Sequence, residues 1–216
     1  MKLTSPEKLL IRSPLRTHML RKFEAPRVLS KLGISAGNVC LDIGCGNGVG
    51  ALLLNQYLDY EKIVGVDVDH DMIAAAQQYI SHPPKWAQSI RTENIEFICE
   101  DATRSTFQDN HFDTVFLFGV LHHIKEWKKL ISEVFRILKA DGTFALTEET
   151  LLPDPLFRFW KSGLYAAYDL FGGTPICEGE LKTTLEKNGF SIQQFDKYLS
   201  MCFVRATKVV PGVIRI

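Results

Sequence analysis

The sequence has no run of about 20 apolar residues, so it offers no membrane-spanning helix. Nor does it open on the charged, then apolar, then small-residue pattern of a secretory signal, and a cytoplasmic location is expected. It has no net charge: 25 Lys and Arg balance 25 Asp and Glu. That balance argues against a general nucleic-acid binder, which carries a basic excess. No C-x-x-C pair occurs among Cys40, Cys45, Cys99, Cys177 and Cys202, and the six histidines do not combine with them at metal-ligand spacing. The cysteines read as small buried hydrophobes in a reducing compartment, and no metal site is expected. Adjacent His122 and His123 point apart on a helix or strand, which does not suit a shared ion.

Charge is balanced overall but not evenly spread. Residues 1–31 hold eight Lys or Arg against two Glu, a net of +6. The simpler reading is a helical face packed on an acidic edge of the domain. A contact with an anionic substrate or a membrane surface is the alternative. At 216 residues and 46% hydrophobic content, the chain suits one domain, or one domain with a small elaboration.

What is present is concentrated at residues 39–50, Val-Cys-Leu-Asp-Ile-Gly-Cys-Gly-Asn-Gly-Val-Gly. This reads as a buried strand ending in an acid, then a glycine-rich turn and the first turn of a helix. Glycines at 44, 46 and 48 let backbone approach a ligand, and the helix beyond offers unpaired N–H groups. Residues 46–51 also fit the dinucleotide pattern G-x-G-x-x-A, so the glycines alone leave two cofactor classes open. Strand Lys62–Asp67 ends in an acid 19 residues after Gly48, where doubly wound sheets present a carboxylate to ribose hydroxyls. A third strand at 94–99 is closed by Glu100-Asp101-Ala102, and a fourth at 112–118 is followed by Gly119-Val120-Leu121-His122-His123.

Taken in order, D-x-G-x-G-x-G from Asp42, the acids at 67 and 101, F-D-x-V with L-H-H, and Leu138-Lys139-Ala140-Asp141-Gly142 resemble the class I S-adenosylmethionine-dependent methyltransferases. Within them the likeness is to the small-molecule, ubiquinone/menaquinone-biosynthesis-like (type 11) group. It covers residues 39–148, and Ala140-Asp141 departs from that group's Pro-Gly. The resemblance implies an α/β, doubly wound, Rossmann-like sheet of seven strands in the order 3-2-1-4-5-7-6, with only strand 7 antiparallel. It implies a cofactor, S-adenosyl-L-methionine, leaving as S-adenosyl-L-homocysteine. The implied contacts are Asp42, Gly44, Cys45, Gly46, Asp67, Val68, Met72, Asp101, Ala102, Phe118 and Gly119. Asp42 would orient the amino-acid end, Asp67 the ribose, Asp101 the adenine amino group, and the carbonyl of Phe118 or Gly119 the ammonium. His122 and His123 are the groups suited to base chemistry near neutral pH. Glu148 and Glu149 compete with them, or else form a solvated strand end. No N/D-P-P-Y/F sequence follows strand four, so a small-molecule acceptor is expected rather than nucleic acid.

The remaining chain frames that core. Ser13-Pro14 starts a helix with a stripe of Leu15, Met19, Leu20 and Phe23; Pro26 starts a second, which Gly33 ends. Residues 1–36 are expected to cover the cofactor, and 37–216 to form the methyltransferase domain. Residues 81–92, with Pro83-Pro84, read as an exposed loop. Residues 150–175 read as a substrate-side helical insertion whose Phe157, Tyr165 and Tyr168 lie off the main stripe and point to a substrate, a second subunit or a membrane. Monomer and homodimer both remain open. Two rival classes stand beside the enzyme reading: an NAD(P)-dependent oxidoreductase, and a non-catalytic protein that binds S-adenosylmethionine.

Overall fold

The computed structural model describes residues 8, 12–31, 33–34, 37–151, 173, 176–198 and 201–210. The aromatic segment 154–171, with Phe157, Tyr165 and Tyr168, lies outside the described residues.

Strands β1 (Val39–Ile43), β2 (Lys62–Asp67), β3 (Ile95–Cys99), β4 (Phe112–Phe118) and β5 (Leu138–Leu151) alternate with helices α2 (Val49–Tyr57), α3 (His70–Ser81) and α4 (Trp127–Ile137). After β5 come the two-residue β6 (Ile176–Cys177), α5 (Glu178–Lys187), β7 (Phe190–Tyr198) and β8 (Met201–Lys208). The sheet runs β3-β2-β1-β4-β5-β8-β7, with β6 paired only to the end of β5. β1 to β5 are parallel, and β8 runs antiparallel to both of its neighbours. With the short β6 set aside, this is the order expected from the sequence.

Strand alternation divides the core in two. On β4, Phe116 and Phe118 face α2, α3 and the N-terminal helix, whereas Val115 and Leu117 face α4 and α5. Both faces are apolar because both are covered, as a parallel sheet requires. Helix α4 buries Trp127, Leu130, Ile131, Val134 and Ile137 at helical spacing. Each such side chain contributes about 1.5–3 kcal/mol on leaving water.

Two sequence motifs meet at the end of the sheet away from the glycine turn. Asp113 of F-D-x-V accepts from the N–H groups of Asn38 and Val39 at 3.1 and 2.8 Å and pairs with Lys139 at 2.8 Å. They tie the starts of β1 and β4 to β5. Asp141, where the related group has glycine, takes φ +60°, a left-handed conformation that aspartate tolerates better than most residues.

Three local expectations are corrected. Pro26 starts no helix: α1 (Pro14–Met19), capped by Ser13, continues through π-helical turns at Leu20–Glu24 and Arg27–Lys31, with Pro26 inside the run. Proline lacks an N–H and crowds the carbonyl four residues back, and a widened turn relieves both problems. The extra residue in each π turn also rotates the apolar face. Leu20, Ala25, Val28 and Leu29 point inward, while Leu15, Met19 and Phe23 of the expected stripe are exposed. Finally, residues 81–92 are only partly exposed, because Ala87 is buried and Arg21 stacks on the Trp86 ring at 4.0 Å.

Candidate active site

The glycine turn is built first by the protein's own packing. Gly44, Gly46 and Gly48 have φ of +68°, +52° and +82°. The N–H groups of Gly44 and Cys45 both donate to the Val66 carbonyl, at 2.8 and 3.0 Å, so the turn folds over the end of β2. A Cβ at position 44 would stand 2.6 Å from Val120, and one at 48 would stand 2.8 Å from the Phe97 ring. The Cys45 side chain is buried against Gly65, where a Cβ would meet it at 3.0 Å.

The acids occupy three different environments. Asp42, in β1, is 1% exposed and lies under the start of α2, where Ala51 donates its N–H to it. A Cβ on Gly50 would come within 2.6 Å of its Oδ2, an atom with no hydrogen-bond partner. Burial, together with the nearby Asp67 charge, pushes the Asp42 carboxyl up to about 8. Asp67 closes β2 and is nearly buried. Its Oδ2 accepts from the Gly46 N–H at 3.1 Å and its Oδ1 from the Asp69 N–H at 3.0 Å. Burial raises its pKa, and these hydrogen bonds only partly offset that. Asp101 follows β3 and caps the turn Ala102–Arg104, accepting from the Thr103 N–H and hydroxyl at 3.0 and 2.7 Å. Burial raises its pKa, but the Thr103 bonds and Arg104 outweigh that and hold it below the ordinary value. Val68 is exposed beside Asp67, Ala102 is partly buried, and Met72 is buried in the first turn of α3.

The sheet order brings these ends together. β1 lies between β2 and β4, Asp67 pairs with Cys99 at the end of β3, and Phe118 pairs with Thr147 of β5. The glycine turn, Asp67, Asp101 and Phe118-Gly119 therefore share the carboxyl end of the sheet. This is where open α/β sheets bind ligands. Gly119 has φ +63°, and the Phe118 carbonyl accepts from Arg16 of α1 at 3.3 Å. Arg16 also pairs with Glu24, which is 6% exposed.

The turn Leu121–His123 sets His122 beside β5. His122 Nδ1 lies 2.5 Å from Glu148 Oε1, and the His122 N–H donates to Glu148 Oε2 at 3.3 Å. Glu148 is 0% exposed, so it is not the solvated strand end that was one expectation. β5 continues past it to Leu151, and Glu148 pairs across to Cys202 of β8. Burial lowers the His122 pKa, but the Glu148 hydrogen bond and charge outweigh burial and raise it. The His123 ring centroid lies 4.1 Å from that of His122. Sequence reasoning left Arg16 and Glu24 unassigned, and their signal was faint: a lone buried acid within a basic helix.

A glycine turn joined to an acid at the switch point of a doubly wound sheet, with an antiparallel strand inserted beside β5, defines the class I methyltransferase fold. Residues 41–146 match the family described as Methyltransferase domain. It is 33% identical over 116 residues to the uncharacterized methyltransferase YcgJ of Bacillus subtilis, covering 54% of this chain and 42% of that protein. It is 25% identical over 146 residues to demethylmenaquinone methyltransferase of Staphylococcus aureus, covering 67% and 55%. The chain spans about half the length of these curated relatives. A solved S-adenosylmethionine-dependent methyltransferase from Aquifex aeolicus superposes with a TM-score of 0.71 at 21% identity, covering 96% of this chain and 100% of that one. Among the described residues no helix is long and apolar enough to cross a membrane, and no cluster of His, Cys, Asp or Glu suits a metal.

Proposed function

We propose that this chain binds S-adenosylmethionine across the ends of β1 to β4 and methylates a small molecule by direct displacement. The observation that carries this reading is the Asp67 carboxylate hydrogen-bonded to Gly46 at the carboxyl end of the methyltransferase sheet. The residues fit that cofactor chemically. Asp67 retains carboxylate lone pairs for two ribose hydroxyls, and the backbone of Gly44, Cys45 and Gly46 lies alongside. Val68 presents an exposed apolar face to the adenine, and Met72 is buried in the first turn of α3. Asp101 and the Ala102 backbone take the adenine edge. The Phe118 carbonyl already receives a cation from Arg16, which suits it to an ammonium group. Asp42 acts from beneath by holding the start of α2 in place.

When bound, S-adenosylmethionine supplies an electrophilic methyl group on a sulfonium. The chain must then hold an acceptor in line, and orientation accounts for most of the rate gain in such a step. It must also receive any proton the acceptor loses. With Nδ1 engaged by Glu148, His122 takes that proton at Nε2, and the buried carboxylate stabilises the resulting imidazolium. Glu148 is thus a positioning residue for His122, and His123 flanks the pair.

Calorimetric titration with S-adenosylhomocysteine and with NAD tests the cofactor assignment. Binding of the first and not the second is expected. Equal binding of both would favour the oxidoreductase reading, and binding of neither would refute a cofactor at this site. Incubation with methyl-labelled cofactor and a small-molecule extract tests transfer. Binding without transfer to any acceptor is the outcome of a non-catalytic protein.

A further inference from the structure

Arg16 and Glu24 form an ion pair that the fold alone does not require. They lie eight residues apart on the N-terminal helical run, and both guanidinium Nη atoms reach the Glu24 carboxylate, Nη2 at 3.2 Å. Glu24 Oε2 also accepts from the Thr147 hydroxyl at 3.4 Å. The guanidinium bridges onward to the Phe118 carbonyl. A Cβ at Gly119 would stand 3.3 Å from Arg16 Nη2, so the absence of a side chain there makes room for the cation. Placing a carboxylate where it is almost fully buried costs several kcal/mol unless a partner offsets it, and apolar residues of similar volume would serve helix packing as well or better.

The amino-acid end of the proposed cofactor carries an ammonium and a carboxylate on one carbon. It is itself an ion pair, with charges complementary to Glu24 and Arg16. We propose that Arg16 and Glu24 are the subsite for an α-amino-acid group, which binds by exchanging ion pairs. The ammonium takes the place of Arg16 on Glu24 and the Phe118 carbonyl, and the guanidinium turns to the ligand carboxylate. Before exchange Arg16 neutralises Glu24; after it, each charge again faces one of opposite sign. No buried charge is stranded at either stage, which keeps the exchange reversible. The N-terminal helix thereby senses the amino-acid end of the ligand while the sheet holds its nucleoside. This inference rests on the cofactor reading above.

The test compares S-adenosylhomocysteine with 5′-methylthioadenosine, which keeps the nucleoside and lacks the amino-acid end. Both are titrated calorimetrically into the unmutated protein, Arg16→Met and Glu24→Gln. The unmutated protein should bind S-adenosylhomocysteine tighter by about tenfold or more, as expected for charge-assisted bonds. Each variant should lose about tenfold or more of that affinity, yet bind 5′-methylthioadenosine within about twofold of the unmutated protein. Variants that bind both ligands as the unmutated protein does would overturn the proposal, leaving the pair a structural tie. So would variants that weaken both ligands equally. The unmutated protein gives a check that does not depend on a variant folding: equal affinity for the two ligands overturns the proposal outright. Binding of neither ligand to that protein overturns the cofactor reading instead, and this proposal with it.

Discussion

Replacing Glu148 by glutamine tests whether this carboxylate sets the state of His122. Glu148 accepts three hydrogen bonds, from His122 Nδ1 at 2.5 Å and the Glu149 N–H at 2.9 Å on Oε1, and from the His122 N–H at 3.3 Å on Oε2. Glutamine has the same shape but only one oxygen. With that oxygen at the Oε1 position it keeps the two shorter bonds, and its amide nitrogen then faces the His122 N–H, donor against donor. The reverse orientation loses two bonds, so the first prevails. A bond to a charged group contributes about 1.5–3 kcal/mol and a neutral one about 0.5–1.5. Losing the charge costs about 1 kcal/mol, and the opposed donors cost about 1 more, for a total of about 2 kcal/mol. The sign with pH follows from the raised His122 pKa. Its contribution is fully present below the unfolded histidine pKa and is lost as pH rises through the folded one. Urea unfolding should therefore show the larger deficit near pH 6 and a smaller one near pH 9. An NMR titration of His122 should show its pKa fall in the variant, because burial then acts with less opposition. Unchanged stability at both pH values, with His122 titrating as before, would refute the argument.

Three further outcomes follow. The Asp42 carboxyl is pushed up to about 8, so the folded protein holds a proton that the unfolded chain has released above about pH 4. Stability should fall as pH rises from about 4 to about 8, and Asp42→Asn should flatten that slope by up to about 1.4 kcal/mol per pH unit in urea unfolding series; an identical slope in both proteins would count against it. Asp67→Ala should leave the fold intact and weaken S-adenosylhomocysteine binding by about 2–4 kcal/mol in calorimetry; unaltered affinity in a folded variant removes Asp67 from the site. Gly48→Ala puts a Cβ 2.8 Å from Phe97 at φ +82°, and should lower stability by about 1–3 kcal/mol even without ligand; a neutral melting shift would show that the turn can relax.

The parallel core was legible because its signals are local. Short apolar strands and Ser13 as a helix cap each state their structure within a few residues. The candidate cofactor residues were legible as a pattern in order, although the pattern does not say which carboxylates face a cleft. Asp42 and Met72 are buried, and only the packing of α2 and α3 decides that. Glu148 was ambiguous for a different reason. Two adjacent glutamates look like solvated chain, and the burial of Glu148 depends on β8, more than fifty residues later, pairing alongside. Pro26 misled because helix propensity assumes a 3.6-residue turn, and the chain adopts π turns instead. The Arg21 contact with Trp86 joins residues far apart in sequence, with no periodicity to announce it.

The place of β8 has a consequence for synthesis. Residues 39–151 can pair into the five parallel strands as they leave the ribosome, with β5 as a bare edge. β7 is made before β8, yet it has no strand to join until β8 arrives between it and β5. A chain halted near residue 200 would thus present an unpaired edge on β5 and a loose, unanchored β7, and both invite pairing between chains. The last-made of the described strands also aligns Cys202 with Glu148. The carboxylate hydrogen-bonded to His122 is therefore enclosed only once the sheet is whole.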